Sequence, residues 1–219
     1  LDEKEIQMSM NTSDKVGGIA LIAGAVLFAA YSVLFPLLLP VGREHVDMVA
    51  VVMDQSWIPL AATAFIGIIL MMVGFYAAYM RIRDNAGVLG AFGFFFIEAA
   101  WLLQACKVTW ELFIYPVLGS YMMTGFLLRD GMLRNSDTVT FFRGMASVTI
   151  LLGIVLFCLA LHRSRAFPKA AAPLIFAGAL VYAVGPMISI FVSVAGIFML
   201  AAGCMLAGVH LLRAAQQAA

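Results

Sequence analysis

Residues Gly87 to Trp110 read GVLGAFGFFFIEAAWLLQACKVTW. The stretch is apolar over the thickness of a bilayer, apart from Glu98 at its centre and the polar Gln104 and Lys107 toward its end. At about 1.5 Å of rise per residue, a helix places Glu98 roughly 16 Å from Gly87 and about 18 Å from Trp110. A hydrocarbon core is about 30 Å thick, so the carboxyl falls near its midplane. No other acidic or basic side chain is so placed in any predicted span. A carboxylate there costs roughly 2.5–3.5 kcal/mol on insertion scales, which makes the position a site to be explained.

The rest of the chain agrees with a lipid solvent. It has 219 residues, of which 64% are hydrophobic and 11% charged. A soluble domain is about 25% charged, so this chain lacks the polar surface to cover itself in water. Its net charge of +1 offers no clustered basic face for nucleic acid. Cys106, Cys158 and Cys204 lie inside apolar runs, far apart, with neither a disulfide framework nor zinc spacing. They read as small buried apolar residues. The first residues, LDEKEIQMSMNTSD, are polar and mixed in charge, unlike the basic start of a cleavable signal.

The expected architecture is an all-α integral membrane protein, a six-transmembrane-helix bundle with spans at about 16–40, 57–80, 87–110, 144–162, 168–185 and 190–212. Residues 1–15 form a cytoplasmic tail, 16–213 the membrane domain and 214–219 a short tail. The last two spans come from one long apolar run broken at Gly185-Pro186. Residues 108–128 read as an extension of span three bending at Pro116, with a seventh span as the alternative. Residues 108–143, together with the amphipathic connection 41–56, make a small outer cap of interfacial helices. The positive clusters Arg81/Arg83 and Arg163/Arg165/Lys169 share a side in the six-span arrangement. The positive-inside rule then puts both termini in the cytoplasm of a plasma or inner membrane. Short echoes, GAVLF at 24–28 against GIVLF at 153–157, fit a weak 3+3 inverted repeat of the kind found in carriers.

Four constellations could carry chemistry. The first is the intramembrane polar set of Glu98 with Tyr31, Ser32, Thr149 and Cys204, all at similar depth. The face of Glu98 also includes Ala91, Phe94, Phe95, Trp101, Leu102 and Ala105. The second is an outer cavity mouth of Gln104, Lys107 and Glu111, the last two four apart and able to pair. His162 and His210, near the ends of spans four and six, are a candidate pair of haem ligands. His45 with Glu44 and Asp47 is a candidate outer-face metal site. Small residues at Gly67 and Gly74, Gly87 and Ala91, and Gly203 and Ala207 would allow close helix packing.

No HExxH, Gly-x-Ser-x-Gly, P-loop or dinucleotide fingerprint is present, so no enzyme class is indicated. The first functional expectation is a non-enzymatic packing or accessory subunit, partnered by the bilayer and by itself or other membrane subunits. The second is a small proton- or cation-coupled carrier using Glu98, and the third a haem-binding subunit through His162 and His210.

Overall fold

The computed structural model describes residues 3–39, 47–121 and 136–217. Among them every regular element is helical. In order these are α1 (Glu3–Leu38), α2 (Met48–Val52), α3 (Trp57–Thr109), a π-helical turn (Trp110–Ile114), α4 (Tyr115–Ser120), α5 (Asp137–Ser164), α6 (Ala171–Ile188) and α7 (Ile190–Gln217). Four helical stretches are long and apolar enough to cross a membrane: Asn11–Leu38, Trp57–Ser120, Thr140–Ser164 and Ile190–Gln217. Ala171–Gly185 is a shorter apolar helix.

The stretch from Trp57 to Ser120 has 64 residues. Straight, it would be about 96 Å long, three times a hydrocarbon core. It doubles back at Gly87, whose φ of 55° and ψ of −158° lie in a region essentially closed to residues with a Cβ. The two arms, 57–86 and 88–109, then run antiparallel. Tyr79 stacks on Phe94 with ring centroids 4.4 Å apart. Phe75 stacks on Trp101 at 6.2 Å. Near the arm ends the Trp57 indole N–H donates to the Glu111 backbone carbonyl at 2.7 Å.

The other helices join the hairpin through antiparallel contacts at glycines. Gly74 of the first arm faces Leu21 of α1, and Gly67 faces Phe28. Gly93 and Gly153 join the second arm to α5. Gly203 meets Ile175 between α7 and α6, and Gly18 meets Gly208 between α1 and α7. In lipid no hydrophobic force drives helices together, so backbones close enough for dispersion contact take its place. The ring of neighbours closes from α7 back to α1, and its loosest seam is α5 against α6. Gly67, Gly74, Gly203 and Ala207 are buried in these seams. The pair Gly87 and Ala91 is not, since Ala91 is exposed and nothing lies within 4 Å of a Cβ placed on Gly87. Large apolar side chains such as Val148, Phe191 and Phe198 stand exposed around the outside. That fits an apolar surrounding such as acyl chains.

The ends of the bundle differ in chemistry. At one end Arg81 pairs with the buried Asp14 of α1 at 3.2 Å, and Gly90 lies beside Ala160 of α5. There too Phe167, after α5, packs on His210 of α7. The clusters Arg81/Arg83 and Arg163/Arg165/Lys169 therefore share that end. At the other end Leu39, Val51, Val52, Trp57 and Leu60 form a second small core, with Phe35 and Tyr115 packed on it. The short helices α2 and α4 touch each other there.

Several boundaries differ from the sequence reading. The stretch 1–15, read as a tail, is helical from Glu3 onward, and α7 continues past Arg213 to Gln217. The first arm of α3 stays helical through the charged residues 81–86. α5 begins at Asp137 rather than at residue 144. The break expected at Gly185-Pro186 falls instead at Ser189, the one extended residue between α6 and α7, with φ −167° and ψ 159°. Its N–H donates to the Gly185 carbonyl at 2.8 Å, closing α6. Its hydroxyl accepts from the Val192 N–H at 3.3 Å, opening α7. The extension of span three is present as the π turn and α4, both ahead of residue 122. Pro116 has no N–H to give an α-helical ladder, and the wider turn before it, with the Tyr115 N–H on the Trp110 carbonyl, takes up the mismatch. Only the part of the alternative seventh span up to Tyr121 lies within the described residues.

Candidate functional site: Glu98 and Trp101 in the second arm of α3

Glu98 and Trp101 are three residues apart, so they are neighbours on one helical face. On one side of that face Trp101 and Ala105 are buried, and Phe94 packs on the core. On the other side Ala91, Phe95 and Leu102 are exposed. Glu98 stands at the margin between the two and is half-buried. Among the described residues its Oε1 is buried with no hydrogen-bond partner, and so is the Trp101 Nε1. The indole is held on two sides. The Phe28 ring meets it edge-on at 5.5 Å, and Phe75 stacks on it at 6.2 Å. An unsatisfied buried donor or acceptor costs about 1–3 kcal/mol. Two of them, one an acceptor and one a donor, stand three residues apart in this arm.

An aromatic column leads away from this pair. From Trp101 it passes to Phe28, then Tyr31 at 6.3 Å, Phe35 at 5.3 Å, Trp57 at 5.8 Å and Tyr115 at 6.4 Å. Tyr182 of α6 joins at Phe28. The ring separations are those of edge and offset contacts, each contributing about 0.5–1.5 kcal/mol beyond area burial. The column ends at the cap, beside the outer polar set. There Lys107 and Glu111 pair at 3.3 Å, with the Glu111 side chain only 14% exposed. Tyr31 and Tyr182 both lie within electrostatic reach of Glu111. Gln104 is half-buried one turn below Lys107.

The structure brings together only some of the residues grouped by sequence depth. Ser32 donates its hydroxyl to the Phe28 carbonyl at 2.9 Å, and Thr149 donates to the Met145 carbonyl at 2.8 Å. Both are committed to their own helices, because a hydroxyl in a helix finds the carbonyl one turn back before it finds a neighbour. Tyr31 belongs to the aromatic column and Cys204 to the apolar core. The partner the grouping left out is Trp101, whose sequence signal was its i+3 spacing on the face already counted. His210 packs against Phe167 with ring centroids 5.3 Å apart, while His162 lines a cavity between α5 and α6. Glu44 and His45 lie outside the described residues, and Asp47 caps α2 by accepting from the Val49 N–H at 3.0 Å. Among the described residues no group of three or more His, Cys, Asp or Glu side chains converges on a metal position.

Fold and site together define an all-helical, membrane-embedded, multi-pass protein with an unpaired polar pair inside one of its helical arms. Comparison with protein families, with characterised proteins and with solved structures returns no match to this chain, so its function rests on the site itself.

Proposed function

We propose that the chain is a six-span carrier coupled to protons, with Glu98 as the group that loads and unloads. The six crossings are α1, the two arms of α3, α5, α6 and α7. By the positive-inside rule, the end bearing Arg81, Arg83, Arg163, Arg165 and Lys169 faces the cytoplasm of a plasma or inner membrane. The observation that carries this reading is the buried Oε1 of Glu98, without a hydrogen-bond partner among the described residues, with the Trp101 Nε1 in the same condition three residues on. A carboxyl kept only for packing would be expected to hold a permanent hydrogen bond, since the unsatisfied state is the costly one.

The donor set favours a proton over a metal cation. A hard cation needs six or more oxygen ligands, or a tight cluster of them. Here one carboxylate faces an indole, which only donates. A rotation of the Glu98 side chain toward Trp101 would let the ionised carboxylate accept from the indole N–H. The protonated acid accepts from that donor only about half as strongly. The pair thus offers two arrangements that differ by one proton on Glu98. The aromatic column shields the site from the cap end, and the Lys107–Glu111 pair marks where that shield meets water.

Purified protein in vesicles with an internal pH-sensitive dye tests the reading. Under an imposed proton gradient the wild-type chain should dissipate the gradient faster than empty vesicles. Glu98→Gln should assemble normally and abolish the excess rate, with Glu98→Asp between the two. A Glu98→Gln protein as fast as wild type would remove the proton role. The carboxyl would then belong to a membrane subunit that uses it for packing or assembly.

A further inference from the structure

A second site lies at the opposite end from the cap, in the loosest seam of the ring. Between the end of α5 and the start of α6 is a cavity of about 660 Å³. It is lined by His162, Arg165 and Lys169 and by the apolar Leu161, Phe167 and Ala172. Among the described residues no carboxylate lines it. The buried Asp14 carboxylate at this end is already engaged by Arg81.

The bland account of such side chains is that basic residues at a helix C-terminus offset its dipole. That account fits His162 and Arg163 in the last turn of α5. It does not explain Arg165, which lies beyond the helix and is the one non-glycine residue at positive φ among those described, with φ 54°. A glycine normally takes that position after a helix. Nor does it explain Lys169, which precedes α6. The loop that presents them is built rather than loose. Phe167 is buried in the core and packs on His210 of α7. The Ala166 N–H donates to the Ser164 hydroxyl, and the Ala171 N–H closes the turn on the Pro168 carbonyl. Ala172, in the first turn of α6, brings the positive end of that helix to the same cavity.

We infer that this cavity binds the phosphate of an anionic phospholipid, held by Arg165 and Lys169, with an acyl chain along the apolar lining. The two-part lining selects a lipid over a free phosphate. Cations and apolar side chains line one cavity at the end of two apolar helices, α5 of membrane-crossing length and the shorter α6, where headgroup meets chain. Basic pockets between helices on the cytoplasmic side suit such headgroups, and each basic residue near the surface strengthens anionic-lipid binding about fivefold.

The test uses the full chain in detergent micelles, with phosphatidylglycerol or phosphatidylcholine added and bound lipid counted by native mass spectrometry. Phosphatidylglycerol should be retained at least fivefold more than phosphatidylcholine. Arg165→Gly should reduce that preference about fivefold while folding normally, because glycine adopts φ 54° without strain. Arg83→Gln, which removes a charge at the same end outside the cavity, should leave the preference unchanged. Equal retention of the two lipids, an equal loss in Arg83→Gln, or displacement of phosphatidylglycerol by equimolar inorganic phosphate would each overturn the inference.

Discussion

Two reversals among the described residues, at Gly87 and at Ser189, turn the chain by opposite means. At Gly87 the space is open: a Cβ there would meet nothing within 4 Å, but the backbone sits at φ 55° and ψ −158°. At Ser189 the backbone is ordinary extended chain, open to any residue, but the space is full. A Cβ on Gly185 would come within 2.6 Å of the Ser193 Cα and 2.5 Å of its N. One hairpin is set by a conformation only glycine tolerates. The other is set by how closely two backbones approach, and is finished by a hydroxyl. The same residue type serves both, for different reasons, and substitutions should tell them apart.

The largest effect is expected at the crowded bend. Gly185→Ala drives a methyl into Ser193 of α7; the serine hydroxyl can rotate away but its backbone N and Cα cannot, so α6 and α7 must separate. Overpacking of this kind costs about 3 kcal/mol. It should show as a clear fall in unfolding temperature in detergent. If Gly185→Ala were neutral, the close approach would not be what holds this bend, and the contrast between the two hairpins would collapse.

Gly87→Ala comes next. Nothing is displaced, so the whole cost is conformational, about 2 kcal/mol. The signature that separates it from Gly185→Ala is insensitivity to size: Gly87→Ala and Gly87→Leu should destabilise alike, because a larger side chain enters open space. A steep increase from alanine to leucine would mean that a packing contact governs this bend too.

The sequence made one of these bends legible and misplaced the other. Gly87 opens an apolar run just after the polar residues Arg81, Arg83, Asp84 and Asn85, so composition marked the reversal even though the helix continues through most of them. Gly185-Pro186 is a strong turn signal in water, yet here α6 passes through it and stops at Ser189. Gly185 turned out to mark a close approach, and close approach is invisible without the partner helix. The same limit explains the Glu98 grouping. Counting residues gives depth, which is why Tyr31, Ser32, Thr149 and Cys204 were placed beside it. Contact also requires the right face, and two of those hydroxyls bond their own helices. What depth arithmetic did convey was the shared end of the arginine clusters, with the short helices α2 and α4 at the other end; residues 41–46 and 122–135 of the expected cap lie outside the described residues. The two ends follow from where spans start and stop.

The smallest effect is expected at Ser189 itself. Its hydroxyl accepts the Val192 N–H at 3.3 Å, a long bond, and the Ser189 backbone carbonyl accepts from the same N–H at 3.2 Å. Removing the hydroxyl therefore leaves that donor with one acceptor. A Ser→Ala change at a helix start costs about 0.5–2 kcal/mol, and the shared donor argues for the lower part of that range, about 0.7 kcal/mol. Ser189→Asn should restore most of it, because the amide oxygen caps as well and the extended backbone accepts any residue. Ser189→Gly should also lose little, since glycine itself is tolerated at a helix cap. The measurement is the unfolding temperature of the three variants in one detergent. If Ser189→Ala cost as much as Gly185→Ala, the cap rather than the backbone contact would be setting this hairpin, and its difference from Gly87 would lie in a side chain instead of in crowding.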